Sequence, residues 1–190
     1  MSEFHLASPP APPELTAVDL ELLRMIATSH TLNAIARHFS YQPRTISERL
    51  NRLRSAVGAD TTWHAASLAV LHRFITDTDV ALPSPRPRLN GAQTRVLHEV
   101  LTRHSATDIA ARLDISKRTV DTVLTQLRTA FAAKTRNQLA AAALLTDSVT
   151  CSAADTRFPN VPLSQFLATR PGQAPAPAPA AVPRTAVAPR

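Results

Sequence analysis

The chain has 190 residues, 44% of them hydrophobic but only 4% aromatic, with 21 Lys and Arg against 14 Asp and Glu for a net charge of +7. That length holds one ordinary domain or two small ones, and the basic balance points to a polyanion partner, nucleic acid before membrane. A single cysteine, Cys151, excludes an intrachain disulfide and a Cys-based zinc site, and the absence of a signal-peptide pattern or an apolar run of about 18 residues implies a soluble, cytoplasmic protein.

Residues 1–14 contain Ser-Pro-Pro-Ala-Pro-Pro and show no apolar period, so they read as a flexible leader. A first module spans 15–76. Thr16-x-x-Asp19 is a capping pair ahead of Leu20, Leu23 and Ile26, which share a helical face. A short helix over 31–38 carries Leu32, Ile35 and Ala36. Pro43 suits the first position of a third helix, since its missing N–H would have no partner there. Ile46, Leu50, Leu53 and Val57 form that helix's inner stripe, and Gly58 stops it. A fourth helix over 62–76 carries Trp63, Ala66, Leu68 and Leu71. Residues 77–88, with Pro83, Pro85 and Pro87, read as a semi-rigid linker.

The second module, 89–147, repeats the plan with helices predicted over 91–103, 107–112, 117–132 and 136–146. Asn90-x-x-Gln93 caps its first helix, and Ser105-x-x-Asp108 caps its second. Asp114, Ile115 and Ser116 form a break, with Ser116 as the next N-cap. Val120, Leu124, Leu127 and Phe131 then make an inner stripe. From 148 to 190 the composition turns to Pro, Ala, Thr and Arg. Phe158, Val161, Leu163, Phe166 and Leu167 stand out there as apolar, able to dock on a partner or on the modules. The composition favours a disordered tail instead. On that reading, removing residues 151–190 leaves the thermal transition nearly unchanged.

An offset of 74 residues carries Leu15 onto Leu89 and holds without a gap. It places Ile35-Ala36 on Ile109-Ala110, Arg44-Thr45-Ile46 on Arg118-Thr119-Val120, and His30 on His104. Shared apolar period alone would not align the Arg-Thr pairs, so the chain contains an internal duplication. In each copy a short helix, a tight turn and a helix with a basic start make a helix-turn-helix, the second helix suited to the DNA major groove.

These residues resemble the LuxR/GerE type of four-helix DNA-binding module. Leu15-Thr16 matches that family's opening, Ile109-Ala110, Leu113, Ile115-Ser116 and Thr119-Val120 its turn, and Gly58 and Arg136 its end. The resemblance covers about 15–146 and implies an all-α fold of two such modules in tandem, between a disordered leader and a Pro/Ala-rich tail. It also implies pairing through the fourth helices, within the chain or between two copies, and a role as a bacterial transcription regulator at the nucleoid. Asp121 and Val123, and Ser47 and Arg49, occupy places where the family carries Lys and His near DNA. No receiver or ligand-sensing domain is expected ahead of the modules.

The resemblance and the basic charge make double-stranded DNA the expected partner. Arg44, Thr45, Arg49, Lys117, Arg118 and Thr119 are the candidate phosphate contacts, while Ser47, Asn51, Thr122 and Gln126 are placed to reach bases. Glu48, Arg52 and Asp121 share those outward faces, and Asp121 could accept from a cytosine amino group. Arg49→Ala is expected to weaken binding more than Lys117→Ala. The bland reading of every such charge is a solvated face. The competing function is a protein-interaction module, in which the helix-turn-helix surfaces bind another regulator or RNA polymerase. No Ser, His and acid grouping, Gly-rich phosphate loop or metal-ligand spacing appears, so neither an enzyme nor a cofactor is expected.

Overall fold

The computed structural model describes residues 11, 13–28, 30–102 and 105–169. The expected leader and the far end of the tail, 170–190, therefore lie almost wholly outside the described residues. The regular elements within them are helices, so the fold is all-α. The first four are α1 (Ala17–Ala27), α2 (Leu32–His38), α3 (Pro43–Val57) and α4 (Thr62–Leu71). The next four are α5 (Gly91–Leu101), α6 (Ala106–Leu113), α7 (Lys117–Ala130) and α8 (Arg136–Leu145).

Local chemistry accounts for where these helices start. Thr16, Asn90 and Ser105 each accept from the backbone N–H three residues on, and Asp19, Gln93 and Asp108 reach back in reciprocal capping boxes. Each pair satisfies two backbone donors that the first turn would leave bare. Thr31, Thr61, Ser116 and Thr135 cap α2, α4, α7 and α8 with one such bond each. α3 has no side-chain cap and starts on Pro43 instead.

The 74-residue offset holds for the helix limits. It maps the limits of α1 onto those of α5 and of α4 onto those of α8, and those of α2 and α3 to within one residue. It also maps the left-handed residues: Ser40 on Asp114, Gly58 on Ala132, and Arg73 on Asp147. Gly58 takes its φ of 71° without a Cβ clash, whereas Ala132 holds 51° at a cost of about 1 kcal/mol.

α4 and α8, equivalent helices of the two copies, pack on each other more extensively than any other pair. Ala65, Ala66, Ala69 and Val70 of α4 are buried, as is the whole run from Leu139 to Leu144 of α8. Small side chains let the helix axes approach closely, which explains why neither helix has a polar face. α1 also touches α8, and the two halves share one continuous core. The 77–88 segment is more tightly held than a spacer. Val80 is buried, Asp79 pairs with Arg24 of α1 at 3.4 Å, and Arg86 reaches Asp147 at 3.4 Å.

The tail departs from expectation. Residues 148–169 fold onto the body instead of remaining disordered. They form α9 (Cys151–Ala154) and α10 (Leu163–Ala168), and one antiparallel bridge joins Thr150 to Pro162. α9 rests on α4 and α5 together, so it touches both halves, and α10 packs on α8. The reason lies in a few apolar side chains. Phe158, Leu163 and Phe166 are each 4% exposed, and Phe158 meets His72 and Phe166 edge-on at ring separations of 5.5 and 5.8 Å. Asp155 is buried with a bidentate Arg157 partner, the shortest contact 2.6 Å. Burial disfavours its charge, but the Arg157 bonds outweigh that and hold its carboxyl below the ordinary range.

Cys151, at the head of α9, has no exposed surface, and burial, helped by the Asp147 charge, pushes its thiol up to about 12. At neutral pH it should therefore resist thiol reagents in the folded protein and react at the rate at which the tail opens. Rapid labelling under native conditions would show that α9 is not seated.

Candidate nucleic-acid interface

α3 and α7 each bury one stripe and leave the other to solvent. Ile46, Leu53 and Val57 hold α3 inward, while Val120, Val123, Leu124 and Leu127 hold α7. Arg44, Thr45, Glu48, Asn51 and Arg52 are exposed on α3, with Ser47 half-buried. Lys117, Arg118, Thr119, Asp121, Thr122 and Gln126 are exposed on α7. Lys117, Arg118, Asp121, Thr122 and Thr125 line one open groove along that helix.

Several of these side chains already have partners. Arg44 pairs with Glu48 at 3.0 Å and Lys117 with Asp121 at 3.5 Å, each one helical turn apart on an exposed face. Such pairs are worth only a few tenths of a kcal/mol and yield readily to a phosphate. The Thr119 backbone and hydroxyl both engage Ser116, so this threonine completes the cap of α7. The Ser47 and Thr122 hydroxyls donate to the carbonyls of Pro43 and Arg118, one turn back. Gln126 accepts from Gln93 at 3.4 Å, tying α7 to α5. Asn51 accepts from Arg54, whose other contact is the Asp60 carbonyl.

Arg49 is the clear correction. Its Nε donates to Asp19 at 2.9 Å and its Nη2 to the Thr16 hydroxyl at 3.1 Å, with 26% of the side chain exposed. It pins the capping box of α1 to α3 and is not presented outward as a phosphate contact. The reason is its place on the helix. Position 49 is the repeat equivalent of Val123, which is buried, so both lie on the flank that turns toward the first helix of their half. Burial works against the Asp19 charge, but hydrogen bonds from Thr16 and Arg49 prevail and lower its pKa.

Arg49→Ala should therefore act on stability. It should cost about 1 kcal/mol, the scale of a helix cap joined to a partly exposed ion pair. A carboxyl lowered in the folded state stabilises above its ordinary value of 3.8 and loses that contribution as pH falls through its folded value. The gap between wild type and variant in denaturant unfolding should thus narrow on acidification. A gap that is unchanged in acid would count against this pairing.

Two cations outside the expected set share a site on the second half. Arg128 of α7 and Arg136 of α8 line a cavity of about 280 Å³ with Asp121, Leu124, Thr125 and Leu139. The Arg136 guanidinium lies over the Trp63 ring of α4, 4.9 Å from its centroid. Sequence spacing could not join Arg128 to Arg136, because the turn between α7 and α8 decides how near they come. On the first half, Phe39 and Tyr41 stack with ring centroids 6.3 Å apart, and Tyr41 and Leu32 remain 47% and 37% exposed.

Among the described residues, no group of three or more His, Cys, Asp or Glu is placed to hold a metal ion, and no helix is long and apolar enough to cross a membrane. No protein family, curated protein or solved structure matches this chain.

Proposed function

We propose that this chain is a transcription regulator that binds duplex DNA through two LuxR/GerE-like helix-turn-helix units, with α3 and α7 as recognition helices. The observation that carries the reading is the pair Arg44 and Arg118. They are repeat equivalents, both exposed, and each sits in the first turn of a helix whose opposite stripe is buried. A helix enters the major groove by its N-terminal residues, and exposed arginine there suits phosphate or guanine. The α4–α8 seam would fix the separation of the two helices, so one chain would read two half-sites.

In this reading Arg44, Arg52, Lys117 and Arg118 contact phosphates or guanine, and Asn51 and Gln126 reach base edges. Nucleoid association follows from the same charge. The first test is salt dependence: with about 4–6 phosphate contacts, the log–log slope of duplex affinity against salt should be about −4 to −5. A slope near zero, or no binding at low salt, rejects it. The exposed Leu32 and the Phe39–Tyr41 stack favour a second reading for the first half, docking on another regulator or on RNA polymerase. In that case Tyr41→Ala would abolish the protein contact and leave duplex affinity unchanged.

A further inference from the structure

We infer that the notch between α7 and α8 is a binding site for a phosphate oxyanion, held by the guanidinium groups of Arg128 and Arg136. Four observations converge on it. Both arginines line the same cavity of about 280 Å³, which is large enough for a phosphate group and its water. The one carboxylate in its wall, Asp121, pairs with Lys117 at 3.5 Å, which offsets its charge beside the two arginines. Thr125 donates to the Asp121 carbonyl and accepts from Arg128 Nη2 at 3.3 Å, which positions that side chain at the mouth.

The fourth observation is Arg136 itself. Its face is occupied by Trp63, while its N–H donors radiate in the ring plane and make no hydrogen bond among the described residues. Partial burial, opposed by Asp121 and reinforced by the Arg128 charge, lowers its pKa, a penalty that an incoming anion would relieve. Two guanidiniums with free in-plane donors suit a phosphate, which accepts charge-assisted bonds from several directions. The first half has no counterpart. The equivalent of Arg136 is Thr62, and Arg54 is spent on Asn51 and the Asp60 carbonyl.

The ligand could be a backbone phosphate of a duplex or a free phosphorylated solute. The notch shares Asp121 and Thr125 with the groove along α7, so a duplex lying on that helix would pass its mouth. Trp63 is the only tryptophan in the chain, and its stacking on Arg136 makes it the reporter. The full chain is titrated with inorganic phosphate at constant ionic strength, with chloride as the balancing ion, while Trp63 emission is followed.

A saturable response that chloride does not give is expected. Arg128→Gln, at an exposed position, should weaken it roughly tenfold, as for one lost charge-assisted hydrogen bond, and Arg128→Lys should restore part of it. A response equal to that of chloride, or one that Arg128→Gln leaves unaltered, overturns the site. With the site established, duplex that competes with phosphate assigns it to the nucleic-acid backbone. Duplex binding that leaves the phosphate response intact assigns it to a free solute. Failure of duplex to bind at all would reject the proposed function while leaving the notch in place.

Discussion

Phe158→Ala is expected to lower the thermal midpoint by about 6–20 °C, from the 3–5 kcal/mol cost of emptying a buried phenylalanine site and a shift of 2–4 °C per kcal/mol in a chain of this size. Phe158 is 4% exposed and wedged between His72, which caps α4, and Phe166 of α10. Its loss removes the wedge from both. Deleting residues 150–190 should be at least as damaging, because α9 bridges α4 and α5 and helps join the two halves. The deletion should also reduce the cooperativity of the transition, since the halves would then be joined without α9, by the α4–α8 seam, the α1–α8 and α4–α5 contacts and the Arg86–Asp147 pair. Cys151 gives an independent readout in the point variant, where thiol labelling should accelerate as the tail opens. Leu32→Ala, at a position 37% exposed, is the control that should move the midpoint little. A midpoint for Phe158→Ala within 2 °C of wild type would mean that the tail contributes no packing.

The body of this fold is legible in the sequence because its determinants are local. Thr16 with Asp19, Asn90 with Gln93 and Ser105 with Asp108 lie three residues apart, and all three form the boxes their spacing suggests. The offset between copies is equally plain, since the Ile-Ala and Arg-Thr pairs recur at it together with the apolar stripes. The tail was hidden for the opposite reason. Helices as short as Cys151–Ala154 and Leu163–Ala168 span too few turns for a period to show, and they are stable only through tertiary packing. Proline and alanine around them gave the composition of a disordered segment, although three buried large side chains decide the outcome. The anchoring role of Arg49 is hidden in the sequence for a related reason. Its partners Asp19 and Thr16 lie 30 and 33 residues away, and only the tertiary fold brings them together.

The pair Arg44 and Arg118 should behave as one device in two copies. Each sits in the first turn of its helix, exposed, with Arg44 held only by the surface pair with Glu48. Replacing either with alanine should cost about 1–3 kcal/mol of duplex affinity, and the double variant about 2–6 kcal/mol, because the sites lie on separate halves and share no partner. Each loss should also flatten the salt slope by about 0.9 if the contact is to phosphate. Asp121 sets the balance on the second helix. Its carboxylate neutralises Lys117 and would face the duplex from the same groove as Arg118. Asp121→Lys should therefore tighten non-specific binding and steepen the slope by about one unit, from one added phosphate contact. Arg49→Ala should leave the slope alone, since its cost falls on the anchoring of α1. If Arg118→Ala and Asp121→Lys change neither affinity nor slope while Arg44→Ala still does, α7 does not enter the groove. The second half would then serve as the partner of the first across the α4–α8 seam, with duplex contact carried by α3 alone.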